Sequence, residues 1–248
     1  TLNNAFSQAK TNVDGIKTIT IEIPKTADAK AYEAKLPAAA LIESASDKRI
    51  EIKTDVATIV APVNMVKPAD VVGASNVALT VAPADKANLP AELADKPVIK
   101  LSLKVDGQAK SWSNPDVHVT ISVPYTPAAG EDPEKITVWY IDGNNNIVPV
   151  YSGKYETATG KVTFQTTHFS TYAVAYVNKS FEDIAGYDWA QRHIEVLAAK
   201  GVIQGTSPTT YNPSANVTRA DYLVLLVRTL SLSASFESNF DDISKTDY

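Results

Sequence analysis

Imidazoles, thiols and paired carboxylates do most of the chemistry that side chains can do, and this sequence is sparing with all three. Its only histidines are His118, His168 and His193, at separations that match no local metal motif. It has no cysteine, which removes disulfides, thiolate zinc sites and cysteine nucleophiles together. Neither a metal centre nor a cofactor is therefore expected. No glycine-rich phosphate loop with its lysine is present, and acidic pairs such as Glu131-Asp132 sit in loop-like sequence and read as solvated. Nothing selects the two carboxylates that a glycosidase holds across a cleft. Trp112, Tyr125, Trp139 and Tyr140 are of the type that stacks on sugar rings, and core packing is the competing reading for each.

The elements that would position such residues come from a chain of 248 residues with 44% hydrophobic side chains, enough for two or three cored domains. The net charge of −5, with Lys and Arg scattered, provides no basic stripe for DNA or RNA, so no nucleic-acid partner is expected. No window approaches the roughly 18 unbroken apolar residues of a membrane-spanning helix. Membrane insertion is not expected, and a link to a cell surface would come from binding or from sequence outside this chain. The start at Thr1, without initiator methionine or secretory apolar stretch, reads as a mature or excised piece of something longer.

From about Ile16 to Val177 the dominant period is two. Ile19, Ile21 and Ile23 alternate with Thr18, Thr20 and Glu22; Ile99, Leu101, Leu103 and Val105 alternate with polar neighbours; Val117, Val119, Ile121 and Val123 alternate with His118, Thr120 and Ser122. These are half-buried strands. Pro24, Pro62, Pro124 and Pro149 fall at or near their ends, where a missing N–H does least damage. Asp142-Gly143-Asn144-Asn145 reads as a hairpin turn. Such strand spacing predicts two sandwich-like β domains, residues 13–96 and 97–178, after a linker over 1–12, with the seam at Asp95-Lys96-Pro97. Ala27 to Ala40, rich in Ala, Lys and Glu, is expected as a short helix or a long loop, Pro37 opposing an unbroken helix.

After Asn178 the period becomes helical. Trp189, Ala190, His193, Ile194 and Leu197 share one face, with Asp188 and Gln191 spaced as a capping box and Gly201 as a left-handed stop. A second helix opens at Thr218, capped with Asp221, and its expected buried stripe is Leu223, Leu226, Val227 and Leu230. Phe240-Asp241-Asp242-Ile243 then restates Phe181-Glu182-Asp183-Ile184, and Asp247-Tyr248 falls on Asp188-Trp189 at the same offset. A helical repeat spans 179–234 and a truncated second copy spans 235–248. Repeats of this size pack against sister copies because they cannot bury their apolar faces alone.

Phe181-x-Asp183-Ile184, Trp189-Ala190, Ile194, Gly201-Val202-Ile203-x-Gly205, Pro213 and Thr218-Arg219-Ala220-Asp221 together resemble the S-layer homology motif, in the right order across nearly all of 179–234. The resemblance implies one copy of a module that usually stands as three tandem repeats, with grooves that bind pyruvylated secondary cell-wall polysaccharide on a Gram-positive cell surface. It implies Arg219 as the ionic contact to the ketal carboxylate or a nearby anionic group, a task suited to a planar guanidinium. Trp189 would face a sugar ring or build the groove, or else sit in the small helical core beside Ile194 and Leu197. Asp183 would hold the groove wall or accept sugar hydroxyls, or else tie a turn. Gly205 would let backbone approach the ligand. His193 reads as a core or rim residue. The family's loop Asp-Gly is replaced here by Ser207-Pro208-Thr209-Thr210-Tyr211.

The β region, through Val123-Pro124-Tyr125 and Thr167-His168-Phe169-Ser170-Thr171-Tyr172, also resembles the spacer that precedes such modules in surface polysaccharidases. His168-Phe169-Ser170 is similar, besides, to the scissile tripeptide of self-cleaving β-domains. That likeness implies His168 as general base and Ser170 as nucleophile on the Phe169 carbonyl. An ordinary strand end with an aromatic residue is the structural alternative. Val162 and Phe164 have one parity and Phe169 the other, which predicts a bulge or bend between them if both point to the same core.

Overall fold

The computed structural model describes residues 2–42 and 47–232. The protein is mainly β, two sheets followed by a short helical segment. One sheet has six strands, in the order β1 (Lys17–Glu22), β3 (Lys48–Lys53), β4 (Thr58–Pro62), β8 (Val119–Pro124), β12 (Lys161–Thr166) and β11 (Lys154–Glu156). The other runs β10 (Ile147–Val150), β9 (Ile136–Ile141), β13 (Thr171–Tyr176), β6 (Val98–Val105), β5 (Asn76–Pro83) and β2 (Tyr32–Pro37), with β7 (Gln108–Lys110) also on β6. All pairs are antiparallel except β1 on β3. Period-two alternation reappears as alternate burial: Val119, Ile121 and Val123 point into the core from β8, while Ile99, Leu101 and Leu103 do so from β6.

The two expected sandwiches are one. β5 and β6 lie on either side of the expected seam, yet they pair from Val77↔Val105 to Pro83↔Ile99. β4 pairs with β8 in the other sheet, Ile59 opposite Ile121. Strands from residues 13–96 and 97–178 are thus interleaved in both sheets and close over a single apolar core. The stretch around Asp95-Lys96-Pro97 is itself packed: Leu93 is fully buried, and with Leu89 and Ala84 it covers Val98, Ile141 and Ala173 on the outer face of the second sheet. An acidic, proline-containing stretch looks like a linker because its covering apolar residues are few and irregularly spaced.

Two other expectations change. Residues 27–40 contain β2, where Tyr32, Ala34 and Leu36 point inward and Glu33 and Lys35 outward, followed by a turn of 3₁₀ helix at Ala38–Leu41. Alternation across a sheet edge outweighs the helix preference of Ala, Lys and Glu. The expected linker begins as a short helix, α1 (Leu2–Gln8), whose Phe6 is buried in the core. The hairpin turn stands as read: Asp142 accepts hydrogen bonds from the N–H groups of Asn144 and Asn146, both at 2.8 Å, and Asn145 takes a φ of 64°.

The expected bend between Phe164 and Phe169 is present and has a hydroxyl hinge. The Thr166 hydroxyl donates to the His168 carbonyl at 2.7 Å, and the Tyr172 hydroxyl donates to the same carbonyl at 2.6 Å. Burial raises the Tyr172 phenol above its ordinary range, keeping it a donor. The turn reverses parity, so Phe169 packs on Trp112, ring centroids 4.6 Å apart.

Because one core serves both sheets, the sandwich is expected to unfold as a unit. Ile121→Ala, at a fully buried central position, should cost about 2–5 kcal/mol. Chemical denaturation followed by near-ultraviolet circular dichroism should show one transition displaced as a whole; two separable transitions would contradict a shared core.

Candidate functional site

The helical segment folds around Phe181, Ile184, Ile194, Ala198, Val202 and Ile203. Its helices are α2 (Asp188–Ala199) and α3 (Arg219–Thr229). The α2 cap differs from expectation: Tyr187 is the N-cap, Asp188 already lies inside the helix, and the Gln191 amide instead donates to Glu195 at 3.1 Å. Gly201 stops the helix at a φ of 74°. The Thr218–Asp221 capping box forms in full, with the Asp221 N–H donating to the Thr218 hydroxyl at 3.1 Å and the Thr218 N–H to the Asp221 carboxylate at 3.3 Å.

Arg219 occupies the first position of α3, is exposed, and has no hydrogen-bond or ion-pair partner among the described residues. It borders a shallow depression of about 380 Å³ together with Val217, Thr218, Tyr222 and Leu223. Asp183 serves the loop. Its carboxylate accepts the N–H groups of Tyr211, at 2.8 Å, and Asn212, at 2.6 Å, and these two bonds hold it below the usual carboxylate range. Gly205 has an internal reason too. A Cβ there would lie 2.3 Å from the Thr210 carbonyl oxygen and 2.5 Å from the Phe181 ring, so the fold requires glycine with no ligand present. The Ser207–Tyr211 loop closes on itself, the Thr210 N–H donating to the Ser207 hydroxyl at 3.1 Å while Tyr211 packs on Phe181.

Trp189 is 81% exposed in the first turn of α2, so the core reading of this residue gives way to a surface one. His193 is exposed as well. The stripe Leu223, Leu226, Val227 and Leu230, expected to be buried, faces outward, and from α3 only Leu225 packs on the small core. One helical hairpin has too little surface to cover both of its apolar faces.

A seam that periodicity did not reveal fixes the segment to the sandwich. Arg192 of α2 forks onto Asp132, at 2.8 Å, and onto Glu134. Glu195, one turn on, pairs with Lys135 at 2.7 Å, the two side chains being 14% and 10% exposed. Ser180 and Gln191 also donate to Glu195, and these bonds outweigh its burial and leave its carboxyl below the ordinary range. Lys200 donates to the Gly153 carbonyl at 2.7 Å, with burial lowering its pKa. Gly201 approaches Pro149 so closely that a Cβ would sit 2.7 Å from its ring. The acids and the lysine precede β9, some sixty positions from their partners, which is why only the fold brings them together.

The autoproteolytic pair is not assembled by a hydrogen bond. The Ser170 hydroxyl donates to the Ile141 carbonyl at 2.9 Å, and the His168 ring lies edge-on to Tyr140, centroids 4.8 Å apart. Nor do the four aromatic residues form one platform. Trp112 is buried with its indole N–H on the Met65 carbonyl, Tyr125 donates to Glu131, and Trp139 and Tyr140 point to opposite faces of β9.

Residues 180–223 match the family model of the S-layer homology domain. The chain carries an S-layer homology domain, a module of cell-surface anchoring. It is 33% identical over 133 residues to an amylopullulanase of Thermoanaerobacterium thermosulfurigenes, covering 53% of this chain and 7% of that protein. It is 43% identical over 54 residues to a cellulosome-anchoring protein of Acetivibrio thermocellus, covering 22% of this chain and 12% of that one. An endo-1,4-beta-xylanase A of Thermoanaerobacterium saccharolyticum matches at 33% over 70 residues, 28% of this chain and 6% of the enzyme. The chain thus spans a small fraction of the relatives it matches. No helix among the described residues is long and apolar enough to cross a membrane.

The seam should be sensitive to acid. A carboxyl held below its ordinary range stabilises the docked state fully above the unfolded value, and that contribution is lost as pH falls through the folded value. Glu195→Ala should weaken docking by about 3–5 kcal/mol, because Lys135 stays buried without its partner. Limited proteolysis across residues 177–181, at neutral pH and at pH 3, reads both effects; unchanged cleavage would refute them. With the Ser170 proton committed to Ile141, denaturing mass spectrometry should find one intact species, against two fragments if the Phe169–Ser170 bond breaks.

Proposed function

We propose that this chain is the wall-attachment end of an extracellular protein of a Gram-positive cell, its helical segment binding pyruvylated secondary cell-wall polysaccharide non-covalently and its sandwich acting as spacer. The observation that carries this reading is the guanidinium of Arg219, without a partner among the described residues, at the start of a helix already capped by Thr218 and Asp221. A side chain not needed to hold the fold, exposed beside a groove, is available to grip a ketal carboxylate with two parallel hydrogen bonds. Val217, Tyr222 and Leu223 offer the groove an apolar wall, and the exposed Trp189 offers a ring face to a sugar. Asp183 and Gly205 act indirectly, by fixing the loop between α2 and α3.

The outward stripe of α3 supports a second partner, the neighbouring repeats. Leu223, Leu226, Val227 and Leu230 form a continuous apolar row of the kind a sister helix covers. The restated motif from Phe240 onward, which would open such a sister, lies outside the described residues. By analogy with the named relatives, the passenger on the other side of the sandwich would act on a polysaccharide.

Sedimentation with purified sacculi tests the reading, using this chain extended to a full set of repeats. Retention should disappear when the non-peptidoglycan polymer is stripped. Arg219→Ala should lower affinity about ten- to a hundredfold, the value of a charged hydrogen-bonded contact, with Arg219→Lys in between. Equal retention on stripped and intact sacculi would sink the proposal.

A further inference from the structure

At one end of the sandwich, beside the helical segment, opens a cavity of about 220 Å³ that shares no lining residue with the Arg219 groove. Its walls are Tyr140 of β9, Tyr151 and His168, with His118 and Gln165 bordering it from exposed positions on the outer side of the other sheet, and Ser231 and Leu232 from just beyond α3. Volume alone admits several waters or one ring-sized ligand. The chemistry of the walls narrows that choice.

Among the described residues no Lys, Arg, Asp or Glu lines the cavity, so these walls give an ionised ligand no counter-charge for the hydration it would lose. Tyr140 and His168 stand edge to face at 4.8 Å and present ring surface. The hydroxyls of Tyr140 and Tyr151, both imidazoles and the Gln165 side-chain amide make no hydrogen bond to any described residue. Donors and acceptors of both kinds therefore border a space with aromatic sides. A neutral pyranose, with apolar C–H faces and a rim of hydroxyls that both donate and accept, is the ligand class that satisfies rings and polar groups together. Burial also lowers the His168 pKa, keeping its ring neutral and able to accept as well as donate.

We propose that this cavity is a second carbohydrate site, specific for an uncharged sugar residue and completed only when the helical segment is docked. It differs from the α3 groove in ligand charge and residues, and it stands or falls independently of wall binding.

Titration of the full chain with maltotetraose, cellotetraose and xylotetraose, followed by amide chemical-shift changes, tests it. At least one sugar should give saturable shifts centred on residues 140–151 and 165–168. Gln165→Ala, at an exposed position, should weaken binding about three- to tenfold and Tyr140→Ala by more than about tenfold, while Arg219→Ala leaves it unchanged. The proposal is overturned if all three sugars leave the spectrum unmoved, if the shifts map elsewhere or survive both cavity substitutions, or if only the acidic wall polymer binds there.

Discussion

A helical hairpin whose own core holds six buried side chains cannot hide the flanks of two amphipathic helices, and most of the arrangement follows from how each helix meets that shortage. α2 meets it by leaning on the sandwich, with Arg192, Glu195 and Lys200 turned toward residues 132–153 and Tyr151 lent to the small core. α3 has less support: Leu225 packs on the small core and Arg228 donates to the Val202 carbonyl, while Leu223, Leu226, Val227 and Leu230 face outward. Surface helices usually turn a polar face to water and an apolar one inward. Here the first helix has a covalently linked host, while the apolar stripe of the second stays exposed.

The polar seam sets orientation as well as contact. Ion pairs at an interface add little net energy when both partners could be solvated instead, but they reject wrong registers. Lys135 accepts only one neighbour geometry, because its ammonium sits between Glu195 and Asn178. Gly201 against Pro149 removes the slack that a side chain would introduce. The groove beside Arg219 is therefore held at a defined place relative to the sheets, and the cavity at Tyr140 borrows its last wall from the same docking.

Local rules were legible wherever a local interaction decided the outcome. Alternation in Val119-Thr120-Ile121-Ser122-Val123, the Asp142 turn, the Gly201 stop and the Thr218–Asp221 cap all depend on residues within a few positions, and each appears as read. The order of motifs from Phe181 to Asp221 identified the anchoring domain for the same reason. Expectations failed where distant residues decided. β2 is a strand because β5 lies beside it, not because Ala, Lys and Glu favour strands. The expected seam is a covering loop because Leu93 finds a pocket made by β6, β9 and β13. One local expectation also failed: α2 starts at Asp188 with Tyr187 as N-cap and no side-chain cap bond. Trp189 and the α3 stripe share a further cause: hydrophobicity marks a face as buried somewhere, and the partner that buries it need not lie in the same repeat.

The seam's two ionic contacts differ in their access to water. Arg192 is largely open to solvent, whereas Lys135 and Glu195 are nearly enclosed, so dissolved salt shields the first and scarcely reaches the second. A brine or a dilute medium would therefore change how readily the helical segment finds its seat far more than how firmly it stays there. Such a joint keeps its angle in surroundings whose ionic strength no cell regulates.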